Sequence, residues 1–166
     1  MSAPEARLRG AILALEEALA WRVGMRDAGK RVVFTNGCFD VLHAGHVTYL
    51  AWAREQGDAL IVGLNSDASV RGLKGEFRPF VPFADRATVL AGLRSVDAVV
   101  GFGERTPEVI LDALRPDVHV KSAQYRLEDL PERIVVQRYG GEIVFAPHVA
   151  GKSTTDLVAE IRRRLS

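Results

Sequence analysis

The chain has 166 residues, with 22 Lys and Arg against 21 Asp and Glu and a net charge of +1. That is one domain with room for a substantial core, and a charge too near zero to argue for nucleic acid or an anionic membrane as partner. Cys38 is the single cysteine, so no internal disulfide can form and a reducing cytoplasm is the expected compartment.

In chain order, Leu8, Ile12, Leu15 and Leu19 recur at helical spacing. The spacing predicts an amphipathic helix over about 4 to 23, within an N-terminal segment 1–28 packed on a single domain 29–166. Glu16-Glu17 interrupts its apolar run, so no leader peptide is expected in it, and nothing reaches the ~18 apolar residues of a membrane span. Arg31 to Phe34 reads as the first strand, and Ala44 to about Gln56 as a helix stopped by Gly57. Ala59 to Leu64 is a continuous apolar run of the kind buried in parallel sheets. A short helix capped from Asn65-Ser66-Asp67 follows, then a helix over Ala84 to Leu93 and a strand over Ala98 to Gly101. Pro107 opens a helix with Thr106 as its cap, Val118 to Val120 is a fourth strand, and Leu130 to Tyr139 is helical. Glu142 to Ala146 is a fifth strand and Ser153 to Leu165 the last helix. Strands alternating with helices predict a doubly wound, five-stranded parallel sheet with helices on both faces. Ligands of such sheets sit at the carboxyl ends of the strands, near the point where strand order reverses.

The stretch organising the chain is Thr35 to Leu50. Asn36-Gly37 turns out of the first strand, and His43 and His46 then fall on one face of the next helix's first turn. That turn offers unpaired N–H groups and the positive end of the helix dipole, and Gly45 lets a ligand approach the backbone. Two imidazoles there can donate to the same anion, so this is a phosphate site. Lys74, Arg78 and Arg86, close behind the strand carrying Asn65 and Asp67, form a second cationic group. Ser153-Thr154-Thr155 at the start of the last helix is a third seat for phosphate oxygens.

Two patterns are set aside. Gly151-Lys152-Ser153-Thr154 imitates a P-loop, but Ala146 stands where its first glycine is required. Gly101-Phe102-Gly103 imitates a dinucleotide fingerprint, but Thr106 replaces the third glycine. His119 reads as a packed core histidine, His148 as a loop residue, and Arg162-Arg163-Arg164 as a solvated helix end.

His43-x-Gly45-His46 after a strand resembles the signature of the HxGH nucleotidyltransferases. The stretches 60–79, 85–107 and 140–158 extend the resemblance, over about 29 to 165, to the bacterial heptose-phosphate adenylyltransferases. The resemblance implies a Rossmann-like fold and transfer of a nucleoside monophosphate to a sugar phosphate with release of pyrophosphate. Its expected substrates are ATP and D-glycero-β-D-manno-heptose 1-phosphate. CTP with glycerol 3-phosphate, or another polyol phosphate, is the alternative within the same chemistry, and a non-catalytic nucleotide-binding regulator the alternative outside it. Mg²⁺ accompanying the triphosphate and a cytoplasmic homodimer are implied, while the sequence names no metal ligands.

The roles follow from residue types and the resemblance together. His43, His46, Lys74 and Arg78 are the candidate catalytic residues. Thr35, Asn36, Gly37, Phe39, Asp40, Gly45, Asn65, Asp67, Ser153, Thr154 and Thr155 are the candidate nucleotide contacts. Arg86, Lys121, Gln124 and Tyr125 are the candidate substrate contacts. Where the family carries Lys-Gly-Gly-Asp-Tyr, this chain reads Lys121-Ser122-Ala123-Gln124-Tyr125, a departure bearing on acceptor and base identity.

Overall fold

A computed structural model describes residues 8–147 and 153–165. Its centre is a six-stranded sheet with every neighbouring pair parallel, in the order β1-β4-β3-β2-β5-β6. The strands are β1 (Ala11–Leu13), β2 (Val32–Gly37), β3 (Ala59–Asn65), β4 (Ala98–Phe102), β5 (Val118–Ser122) and β6 (Glu142–Ala146). The helices are α1 (Leu15–Asp27), α2 (Ala44–Arg54), α3 (Asp67–Lys74), α4 (Phe83–Ala91), α5 (Glu108–Leu114), α6 (Arg133–Arg138) and α7 (Thr154–Leu165). The chain steps outward from β2 through β3 to β4, then returns to lay β5 on the other side of β2. The order therefore reverses at β2, whose carboxyl end carries the two histidines.

Both faces of the sheet are covered. Side chains alternate along a strand, so Leu60, Val62 and Leu64 of β3 join one core with Leu50 of α2 and Leu90 of α4. Ile61 faces the other core, with Phe34, Ala18 of α1, Leu111 of α5 and Val136 of α6. Gly63 is required inside β3, because a Cβ there would lie 2.5 Å from the Phe34 ring.

The N-terminal segment differs from the expected helix. Ala11–Leu13 is instead a sixth strand, paired with Ala98, Val99 and Val100 at the sheet edge, and α1 begins only at Leu15. Gly10 hydrogen-bonds Ala91 and admits no side chain, since a Cβ would stand 2.7 Å from the Val96 carbonyl oxygen. The Glu17 carboxylate accepts the Ala14 N–H at 2.7 Å and starts α1 there. Leu8, Ile12 and Leu15 of the expected stripe are exposed; Ala18 and Arg22 are the buried positions, Arg22 through the Arg115 carbonyl and Asp117. The part of that helix assigned to residues 4–7 lies outside the described residues.

Two smaller differences occur elsewhere. α5 has Pro107 rather than Thr106 at its cap position, with no side-chain cap. The segment expected to be helical from Leu130 becomes so only at Arg133, after a 3₁₀ turn at Leu127–Asp129 and Pro131. Among the described residues no helix is long and apolar enough to cross a membrane.

Candidate active site

His43 caps α2, its Nδ1 accepting the Gly45 N–H at 3.1 Å. Neutral His43 therefore carries its proton on Nε2. The His43 and His46 rings stack with centroids 3.9 Å apart and planes 28° apart, and Phe39 meets His46 edge-on at 5.3 Å. Phe39 has a left-handed φ of 45°, and its ring lies against Gly37, where a Cβ would approach to 2.9 Å. Gly37 is thus needed for this close packing as well as for the turn. Burial, and then the neighbouring His43, push His46 down to about 4. Its Nδ1 is buried with no hydrogen-bond partner among the described residues. A neutral imidazole at a helix start can donate one N–H to an anion, and a negative charge beside it favours its protonated form.

Opposite, Arg78 pairs with the buried carboxylate of Asp40, which also accepts the Phe80 N–H at 3.0 Å and the Val81 N–H at 2.9 Å. Burial raises the Asp40 pKa, but these two N–H groups and Arg78 outweigh it and hold the carboxyl below its ordinary value. Asp40 thereby fixes the loop carrying Arg78 against the start of α2, with the guanidinium 4.6 Å over the Phe80 ring. Lys74 ends α3 on the same side. The third wall is the start of α7. Ser153 accepts the Asp156 N–H at 3.0 Å, and the Thr154 hydroxyl donates to the Val41 carbonyl at 3.4 Å, joining α7 to the loop before α2.

These walls enclose a cleft of about 720 Å³ at the carboxyl ends of the strands. Of the expected residues, His43, His46, Lys74, Arg78, Asn36, Gly37, Phe39, Asp40, Gly45, Asn65, Lys121, Gln124, Tyr125, Ser153, Thr154 and Thr155 line it. Gly151 and Lys152 lie outside the described residues, as does His148.

Arg86, Asp67 and Thr35 are expected contacts that do not line the cleft, and Asn65 lines it with its amide already engaged. Arg86 does not face the cleft. Its guanidinium is fully buried and donates to the Val81, Cys38 and Asn65 carbonyls and to Asp67. It closes the floor under the site, and Asp67 is spent on it. Thr35 is fully buried, its hydroxyl between the Tyr49 hydroxyl at 2.7 Å and the Val120 carbonyl at 3.0 Å. Asn65 borders the cleft, but its amide donates to Ser69, whose hydroxyl donates to the Glu104 carbonyl.

Other lining residues were not anticipated. Tyr49 stands one helical turn beyond His46, a spacing that could have found it. Arg105, Thr106 and Pro107 come from the stretch set aside as a false dinucleotide fingerprint; its place after a strand was the available signal. Glu132 gave no signal, since only the fold brings it beside β5.

A ligand for this cleft is anionic and long enough to span three cationic or N–H-bearing walls, as a triphosphate is. Among the described residues no group of three or more His, Cys, Asp or Glu could hold a metal ion. The donor set fits a cation that travels on the triphosphate's own oxygens better than a resident one, because Asp40 and Asp67 are already engaged by arginines.

Residues 34–157 match the family model described as cytidylyltransferase-like. The chain is 52% identical over 153 residues to the Bifunctional protein HldE of Pseudomonas aeruginosa strain LESB58, covering 92% of this chain and 32% of that protein. It is 53% identical over 133 residues to that of Geobacter sulfurreducens, covering 80% of this chain and 27% of the relative. The chain thus spans about a third of the length of the curated relatives it matches. Among solved structures, a lipopolysaccharide core biosynthesis protein from Thermoplasma volcanium superposes with a TM-score of 0.61 at 22% identity, covering 73% of this chain and 98% of that one. Pantothenate synthetase from Thermus thermophilus superposes at 0.65 and 14% identity, covering 93% and 70%. The likeness to these two is one of fold. The chain belongs to the cytidylyltransferase-like family.

Proposed function

We propose that the chain is a nucleotidyltransferase joining the nucleoside monophosphate of ATP to D-glycero-β-D-manno-heptose 1-phosphate, yielding ADP-heptose and pyrophosphate. The observation that carries the reaction type is the stacked His43–His46 pair facing the start of α7 across one cleft. The acceptor rests on the similarity to proteins named Bifunctional protein HldE and on the sequence resemblance to heptose-phosphate adenylyltransferases.

A phosphate oxygen of the acceptor attacks the α-phosphorus, and the bond to the β-phosphate oxygen breaks as pyrophosphate leaves. The attacking phosphate is already anionic, so no side chain has to activate it. The protein's part is alignment and stabilisation of developing charge. The N–H groups of His43 and His46 would hold the triphosphate near the α-phosphorus. Ser153, Thr154 and Thr155 would take the outer phosphates at the α7 N-terminus. Lys74 and Arg78 would hold the acceptor phosphate or the departing pyrophosphate. Mg²⁺ would enter on the triphosphate and neutralise part of its charge. We also place the active form in the cytoplasm as a homodimer.

The second reading is a CTP-dependent enzyme acting on glycerol 3-phosphate, since the stretch Lys121-Ser122-Ala123-Gln124-Tyr125 bears on acceptor and base identity. The test is pyrophosphate release from ATP and CTP paired with heptose 1-phosphate, glycerol 3-phosphate and related phosphates. Release with ATP and heptose 1-phosphate is expected, and loss of it in a folded His46→Ala variant. Nucleotide binding without release from any pair would overturn the reading in favour of a non-catalytic regulator.

A further inference from the structure

The stretch Lys121 to Tyr125 has a buried support. In β5, Val118 and Val120 face the core shared with α2, so His119 and Lys121 face the opposite side, towards α6. Glu132, at the N-terminal cap position of α6, reaches across both. One carboxylate oxygen stands 3.2 Å from His119 Nε2 and 3.0 Å from Lys121 Nζ. His119 is fully buried, with Nδ1 3.4 Å from the Phe34 carbonyl oxygen, and the Glu132 side chain is only 2% exposed. Lys121 is 13% exposed, lines the cleft, and holds its ammonium 4.8 Å over the half-exposed Tyr125 ring.

We propose that Glu132, braced by His119, is a positioning residue that holds the Lys121 ammonium on the Tyr125 ring as a nucleotide-binding wall. The inference rests on the nucleotidyltransferase reading above. A carboxylate removed from water is costly, and a well-packed apolar group there serves stability as well or better. A buried carboxylate at this place beside the cleft therefore calls for another gain. Lysine is a point charge on a four-carbon stem, and freezing it costs entropy when ligand binds. Glu132 meets that cost during folding, so the ammonium stands ready at the cleft wall with N–H donors to spare. Burial raises the Glu132 pKa, but the His119 hydrogen bond and the Lys121 charge outweigh it, so the carboxylate stays ionised. The nucleotide is the expected ligand because β5 and β6 lie on the same side of β2 and lead on to α7, whose first turn the proposed function assigns to the outer phosphates.

The test measures the dissociation constants of MgATP and MgCTP by calorimetry on the full chain without acceptor, with acceptor KM and thermal midpoint measured alongside. Lys121→Met and Glu132→Gln are each expected to weaken binding of the preferred nucleotide roughly tenfold or more, the loss expected when a hydrogen bond to a charged group goes. The double variant should be no weaker than the worse single one, and the acceptor KM should not move. If Glu132→Gln does not fold, Glu132→Met removes the charge while filling the site. A Glu132 variant with a lowered thermal midpoint and wild-type nucleotide affinity would show a structural role only and overturn the proposal. Losses that multiply in the double variant, or a change confined to the acceptor KM, would do the same. Failure of the wild-type chain to bind either nucleotide would instead overturn the nucleotidyltransferase reading, and this inference with it.

Discussion

Arg86→Met is expected to act on stability before it acts on any substrate. The guanidinium donates to the Val81 carbonyl at 2.9 Å, Cys38 at 2.6 Å, Asn65 at 3.0 Å and the Asp67 carboxylate at 2.6 Å. These tie the end of β3, the loop before α2, the loop before α4 and the start of α3. Asp67 is one-third exposed and can rehydrate, so its share of the loss is small. The three carbonyls lose their donor inside the fold, each at about 1–3 kcal/mol, less whatever relaxation recovers. Breaking a buried charged cluster by removing one partner costs about 3–5 kcal/mol, and we expect that total. For a chain of 166 residues this corresponds to a fall in thermal midpoint of roughly 6–20 °C. Urea unfolding followed by circular dichroism, with KM measured on the folded fraction, checks it. A variant with wild-type stability and a raised KM would refute the buried-staple account and restore Arg86 to the substrate.

Burial, and then His43, lower the His46 pKa from an ordinary 6.5 to about 4 in the fold, so the unfolded chain binds more protons between those values. Stability is therefore full above the ordinary value and is lost as pH falls towards the folded one. The shift is worth at most about 3 kcal/mol, and about 1–2 after discounting for the ring's partial exposure. His46→Gln should flatten the urea midpoint between pH 7 and pH 4.5 by that amount; an unchanged slope would refute it. Asp40→Asn should release Arg78 and the Phe80–Val81 turn and lower kcat/KM roughly ten- to hundredfold, read by pyrophosphate release at saturating and limiting acceptor. Gly63→Ala forces a methyl against the Phe34 ring, 2.5 Å away, and should cost about 1–3 kcal/mol in urea unfolding with KM unchanged.

The candidate site was legible wherever one short stretch of chain carried it. The turn at Asn36-Gly37, the caps at His43 and Ser153, and the apolar run of β3 are local in origin. A strand buried on both faces, a helix start and a glycine turn each need only neighbours in sequence to declare themselves. Many of the cleft-lining residues between Asn36 and Thr155 therefore came out of the sequence, while Tyr49, Arg105 and Glu132 did not. The tertiary structure decided what depends on distant partners. Ala11–Leu13 has helical spacing and is a strand only because β4 offers it an unpaired backbone edge. Arg86 looks like any cation beside a glycine loop until three carbonyls from separate segments close around it. Glu132 has no signature of its own, because its meaning lies in two residues of β5 on the far side of a turn. Charge type and local spacing can thus nominate a phosphate cradle, but which cations face the ligand and which hold the floor beneath it depends on burial, and burial belongs to the whole fold.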